Sequence, residues 1–372
     1  MDRREFLAAM AAVPAIGALQ TTRPIPDYRV VTKFKPAAQP GMPGMYPGRV
    51  VTVHSPKCID EVTEKVDVPT VKEMIARGMT TLTEDKDARD SWARFFNAQD
   101  FVGIKINCSG APGAMSMPDV VAEICRNLIT VGVKAENIVI HERGGGQILN
   151  AKYDQFVPTG VRVESSNWLG FDPGVYVEAN FFGEDDTRSF VLRMATEKFT
   201  KIINVPNMKD HGASGVTGCL KNIAYGEFNN VARSHYRSQT ETLTFIGTLA
   251  ATEPIRSRTV LQIMDGLRGV WHAGPFSTEK RYRFYAKQMK FGTDPVAIDR
   301  FLIDIIDDKR KQEGAISVWE RDMKYFSTKL QDWQASPNVN RFIREPGHIE
   351  YASKLGLGVY DTAKIKHVEL TV

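Results

Sequence analysis

The sequence has no pair of cysteines at metal- or cluster-binding spacing. Its four cysteines, Cys58, Cys108, Cys125 and Cys219, are scattered. That excludes a ferredoxin-type iron–sulfur cluster and a zinc ribbon, and it is too sparse for a disulfide scaffold. Charge of one sign is also scarce, because 48 Lys+Arg against 44 Asp+Glu leave only +4 over 372 residues. The excess is spread along the chain, so there is no electrostatic footprint for nucleic acid. No Gly-x-Ser-x-Gly elbow, P-loop or dinucleotide fingerprint occurs, which disfavours a standard serine hydrolase and the common nucleotide folds. No internal repeat occurs either, and no composition break forces a domain boundary. What is present is ordinary globular composition, 42% hydrophobic and 25% charged, in a chain long enough to bury a large core.

The N-terminus is the most readable segment. Arg3-Arg4 precedes Glu5 and Phe6, and residues 7–19 form an uncharged, alanine-rich stretch. A paired-arginine head before a short, weakly apolar stretch has the form of a twin-arginine export signal. Small residues at 15 and 17 suit cleavage after Gly17, with Ala18 as an alternative. The stretch is too short to span roughly 30 Å of hydrocarbon as a helix, so no permanent membrane span is expected. The translocation machinery is then a partner and the periplasm the destination. Residues 1–18 are read as the signal and residues 49–372 as one α/β domain. Between them, residues 19–48 carry six prolines and three glycines and read as an extended arm.

From residue 49 the pattern alternates. Residues 49–54 (RVVTVH), 101–107 (FVGIKIN), 137–141 (NIVIH), 201–205 (KIINV), 259–264 (TVLQIM) and 365–372 read as strands. Apolar spacing marks helices around Val71, Met74 and Ile75, around Trp92, Phe95 and Phe96, and from Pro118 through Leu128. Another begins near Gly218. The clearest opens at Asp294-Pro295, with Asp as cap and Pro at the first position. An amphipathic helix is expected near 318–333. This succession predicts a central, mostly parallel sheet flanked by helices in three layers.

In such sheets ligands sit beyond the carboxyl ends of the strands. The loops there carry Lys105, Asn107, Cys108, His141, Glu142, Arg143, Lys209, Asp210, His211 and Asp265, and they were expected to converge on one cleft. Residues 211–218 (HGASGVTG) place small residues where a loop becomes a helix, with Lys221 and Asn222 one turn on. Free N–H groups at a helix start beside a lysine suit a phosphate or carboxylate, or the segment is simply a tight turn. On the anion reading Lys105, Asn107, Gly215, Gly218, Lys221 and Asn222 hold a cofactor or anionic ligand, while Lys209, His211 and Asp265 are catalytic. The cofactor itself is not named by the sequence. A metal is left open, with His141, Glu142 and Asp210 as its candidate ligands. Cys108 and Cys219 are candidate thiolates or small buried side chains.

Residues 204–211 (NVPNMKDH) and 215–222 (GVTGCLKN) together resemble the signature of the bacterial and archaeal family called domain of unknown function 362. Lys105-Ile106-Asn107, Asp265-Gly266, Gly274-Pro275, residues 292–299 (GTDPVAID) and residues 352–358 (ASKLGLG) also fit, so the resemblance spans roughly residues 50–370. It implies an α/β fold and adds weight to Lys209, His211, Lys221, Asn222, Asp265 and Asp294. Some members carry an added iron–sulfur module, which hints at redox chemistry. This chain lacks those cysteines, so a redox role would need another cofactor or partner. Two function classes remain: an exported enzyme using a metal or an anionic cofactor or substrate, and a periplasmic binding or cofactor-assembly protein for an anionic ligand.

Overall fold

Along the central strands, neighbouring apolar residues belong to opposite sides. Val50, Val139, Ile202 and Met264 lie in one apolar cluster, whereas Val51, Ile140, Ile203 and Ile263 lie in another. Strands buried on both faces must divide their side chains this way, since alternate residues point to opposite faces. The computed structural model describes residues 24–236, 239–277 and 279–372. Arg3-Arg4, the stretch 7–19 and the expected cleavage site lie outside the described residues.

The large sheet comprises, in chain order, β1 (Arg49–His54), β2 (Val102–Ile106), β3 (Ile138–Glu142), β4 (Arg162–Ser165), β5 (Lys201–Val205), β6 (Asn207–His211), β7 (Gly215–Val216), β8 (Thr259–Val270), β9 (Arg283–Phe284), β10 (Gln288–Gly292) and β11 (Lys366–Thr371). Its main path runs β11-β1-β10-β8-β5-β2-β3-β4. Only β10 runs antiparallel to its neighbours on that path. Helices α1 (Val68–Thr83) and α2 (Pro118–Thr130) bury Met74, Ile75, Val121 and Ile124 on one face. The opposite face is covered by α4 (Gly218–Gly226), α5 (Thr242–Ala250) and α6 (Pro295–Gln312), while α3 (Gly145–Ala151) follows β3. The three-layer, mostly parallel α/β fold expected from the alternation is therefore present. Ahead of the sheet, Arg29–Val31 pairs with Phe171–Glu178, and the N–H groups of Gly41 and Met42 donate to the Ser257 and Arg256 carbonyls.

Strand order reverses at β2. β3 and β4 extend to one side of it, whereas β5 and β8 lie on the other. Such a switch point opens a crevice at the carboxyl ends of the strands, and Asn107 and Glu142 stand at that end.

Three expectations need correction. The segment after 205 is a strand, because β8 continues to Val270 and pairs Asp265 with Asn207 and Val270 with Lys209. A strand so rich in polar residues is stable when buried because its groups are bonded: Asn207 donates to the carbonyls of Asp265 (3.1 Å) and Arg268 (2.7 Å). The helix around residues 92–96 is the short Ala88–Ala93, so Phe95 and Phe96 lie beyond its end. The helix expected over 318–333 is instead a 3-10 turn at Met323–Tyr325 and a short helix at Leu330–Ala335. Its backbone is claimed by partners elsewhere, with Asn340 N donating to Tyr325 O (2.6 Å) and Ser327 N to Asn340 O (2.9 Å).

Candidate functional site

At the switch point lies a cavity of about 330 Å³, lined by the polar side chains of Lys105, Asn107, Glu142, Arg143, Lys221 and Asn222 and by the rings of His211, Tyr225, His235, Phe276, Trp333 and Phe342. Lys105 reaches it from β2. Its ammonium donates to Glu142 Oε2 (3.0 Å), to Asn222 Oδ1 (3.1 Å) and to the Ile106 carbonyl. Those bonds occupy its three N–H groups. Gly226 makes room for that side chain, since a Cβ there would stand 1.5 Å from Lys105 Cε. Burial would push the Glu142 carboxyl up, yet Lys105 and the N–H of Arg143 outweigh it and hold it low. Asn107 donates to Asn222 (3.1 Å), Asn222 to Asn204 (2.8 Å) and Asn204 to Gln262 (2.7 Å). This chain of amides fixes the floor.

Lys221 differs from Lys105. It is 7% exposed, and its ammonium lies 4.3 Å from the centre of the Tyr225 ring. Among the described residues it has no hydrogen-bond or ion-pair partner. Burial first, and then the charge of Arg143, lowers it to about 7. Arg143 likewise has no side-chain partner among the described residues. The one carboxylate lining the cavity, Glu142, is engaged by Lys105, so the wall carries a net positive charge.

His211 is held in one tautomer. Its Nδ1 accepts from the N–H groups of Ala213 (3.1 Å) and Ser214 (3.2 Å), so the ring proton resides on Nε2. Protonating Nδ1 would set three donors against one another, and burial, followed by Lys221, pushes this imidazole well below its ordinary range. His211 is therefore a neutral donor through Nε2. His235 is also pushed well below its ordinary range, mainly by burial.

The remaining candidates are distributed differently from the expectation. Lys209 lies beneath the cavity floor and donates to Asn107 Oδ1 and the Ala114 carbonyl; burial lowers it to about 7. Asp265 does not line the cavity. Its carboxylate accepts from Met117 N (2.5 Å) and Leu267 N (3.0 Å) and so anchors the start of α2. Burial raises it to about 6. The N–H groups at the start of α4, expected to be free for an anion, are taken by Asp299, which accepts from Cys219 N (2.6 Å) and Leu220 N (2.9 Å). Gly218 serves that contact, since its φ is +57° and a Cβ would meet Asp299 Oδ1 at 2.3 Å. Gly215, at φ +82°, packs against Pro346. Asp294 caps α6 through Ala297 N (2.8 Å) and also accepts from Gly48 and Val359 N–H groups (both 2.9 Å).

The three candidate metal ligands have separate partners. His141 bonds Glu227 (2.6 Å), Glu142 bonds Lys105, and Asp210 bonds Arg310 (3.3 Å) and Arg344 (3.0 Å). Among the described residues no three His, Cys, Asp or Glu side chains gather as a metal set. All four cysteines are buried and free, and burial raises the Cys108 and Cys219 thiols, which disfavours a thiolate. Sequence reading missed Tyr225, His235, Trp333 and Phe342. His235, Trp333 and Phe342 bear no local motif and reach the cavity only through tertiary packing, whereas Tyr225 lies one turn after Lys221 on α4, a spacing that could have found it. Arg143 stood beside a strand end and could have been assigned on that ground.

No curated protein matches the chain. A family model described as Domain of unknown function (DUF362) matches residues 102–304, more than half of the 372 residues, and the chain belongs to that family.

Proposed function

We propose that this protein binds a small anion, a phosphate- or carboxylate-bearing ligand, at the switch-point cavity. One observation carries the reading: the buried Lys221 ammonium, with Arg143 beside it, lacks an anionic partner. A buried unpaired cation is costly, and a ligand that supplies the missing negative charge recovers much of that cost. The same groups suit general-acid work on the bound ligand, with His211 Nε2–H as hydrogen-bond donor and the Lys221 ammonium, charged when the anion is bound, as proton donor.

Sulfate affinity is the test, because sulfate does not change charge between pH 6 and 9. Lys221 in the free protein titrates at about 7, and a bound anion raises that value. Below pH 7 the lysine is already charged and affinity is flat. Above it, binding must take up a proton, so affinity falls by up to about tenfold per pH unit. His211 and His235 are neutral throughout this window and Glu142 is ionised. Lys209 titrates in the same range from beneath the floor, so Lys221→Arg separates the two: a guanidinium stays charged, and calorimetry should find the slope above pH 7 reduced. An unchanged slope would assign the titration elsewhere.

We further propose export by the twin-arginine route, on the strength of Arg3-Arg4 before a weakly apolar stretch. Replacing both arginines by lysine should leave precursor in the cytoplasm. Mature protein still reaching the periplasm would refute this. Protein recovered from its own export pathway then separates enzyme from binder by elemental analysis and native mass spectrometry. A stoichiometric metal or organic cofactor favours the enzyme, and a labile small anion favours the binder.

A further inference from the structure

The cavity has a lining of two kinds. Lys221, Arg143 and Asn107 present charge and amides. Rings from distant segments, Trp333, Phe342 and Phe276, line it as well. Gly212 brings backbone against the indole, where a Cβ would lie 3.1 Å from Trp333 Cζ2. His235 joins these rings, its ring centre 6.1 Å from that of Phe342 and 5.3 Å from that of His211. Its Nε2 is buried without a hydrogen-bond partner among the described residues. Phe276 at the mouth is 62% exposed and has no ring partner among the described residues.

An inorganic anion would satisfy Lys221 and leave the rings facing water. We propose that the ligand is an anion carried on a planar aromatic or heteroaromatic ring, its acid group at Lys221 and Arg143 and its ring against Trp333, Phe342 and Phe276. The inference rests on the reading of this cavity as an anion site and adds the ligand's class. Aromatic side chains favour flat partners over saturated ones because stacked or edge-to-face contacts add to simple area burial. Polar groups placed within a mostly apolar lining also fix a ligand's orientation.

Benzoate, cyclohexanecarboxylate and acetate share one charge and differ in the group that carries it. Titrated calorimetrically into the full-length protein at pH 6.5, benzoate should bind about tenfold or more tightly than acetate, and more tightly than cyclohexanecarboxylate. Phe276→Ala, a change at an exposed position that spares the core, should narrow the benzoate-to-acetate ratio several-fold. Benzoate binding no tighter than cyclohexanecarboxylate, with a ratio unmoved in Phe276→Ala, overturns the aromatic assignment even while sulfate still binds through Lys221. If neither sulfate nor acetate binding responds to Lys221→Met, the anion site itself is overturned.

Discussion

Lys221→Met is expected to abolish sulfate binding and, without ligand, to raise the melting temperature. The residue is 7% exposed, and its charge is supported by the Tyr225 ring at 4.3 Å, which supplies about 1–2 kcal/mol when desolvated, and at longer range by Glu142. Burial lowers it to about 7 against an ordinary 10.5, so the folded protein holds this cation at a cost near neutral pH. Methionine fills nearly the same space without the charge. Exchanging buried ionic groups for apolar ones of similar volume commonly stabilises by about 1–4 kcal/mol, and the lost ring contact of about 1–2 kcal/mol leaves a gain of about 0–2 kcal/mol. Removing one partner of a buried charged contact weakens binding by about 2–5 kcal/mol, roughly thirtyfold to several thousandfold. Calorimetry and a ligand-free thermal melt check both signs. A lower melting temperature with binding intact would mean the lysine serves the fold.

Asp210→Ala should do the opposite, with a loss of about 3–5 kcal/mol of stability. One carboxylate oxygen accepts from Arg310 and Arg344, and the other accepts from Gly274 N (3.2 Å). All three charged side chains are fully buried. Without Asp210, two guanidiniums face each other in the interior with no carboxylate. Arg310 is already lowered to about 9 by burial and by Arg344. Domains retain only about 5–15 kcal/mol in total, so the variant should unfold at much lower denaturant, as circular dichroism would record. A metal ligand would behave differently, since its removal would lower metal content while the transition stayed in place. Asp210→Asn, which keeps acceptor and shape but loses the charge, should fall between the two.

Both variants bear on what could be read from the residues in order. Residues 211–222 suggested an anion near Lys221 and Asn222, and both side chains do face the cavity. The reason given, free N–H groups at the start of α4, was wrong. Asp299 sits 80 and 79 positions from its partners Cys219 and Leu220, and no local pattern announces a carboxylate from another helix. Asp265 and Lys209 were placed in a common cleft because both follow strand-like runs. Yet β8 continues past its expected end, and a further strand, β6, pairs with it, which holds Asp265 and Lys209 away from the cavity lining. A strand whose polar groups are all bonded looks, residue by residue, like a loop.

Alternation of apolar residues and the cap at Asp294-Pro295 determined the layers of this protein before any coordinates, because burial on two faces and helix initiation are local demands on the chain. Which ionisable groups would be paired and which left without a partner was decided only by tertiary structure. Lys105 and Lys221 are both lysines beside strand or helix ends, and nothing in the sequence separates them. Glu142 is delivered to the first by β3 pairing with β2, and among the described residues no acid forms an ion pair with the second. Pairing depends on a few ångströms between segments far apart in the chain, and desolvation turns that small difference into a charge satisfied by the protein or one left without a partner.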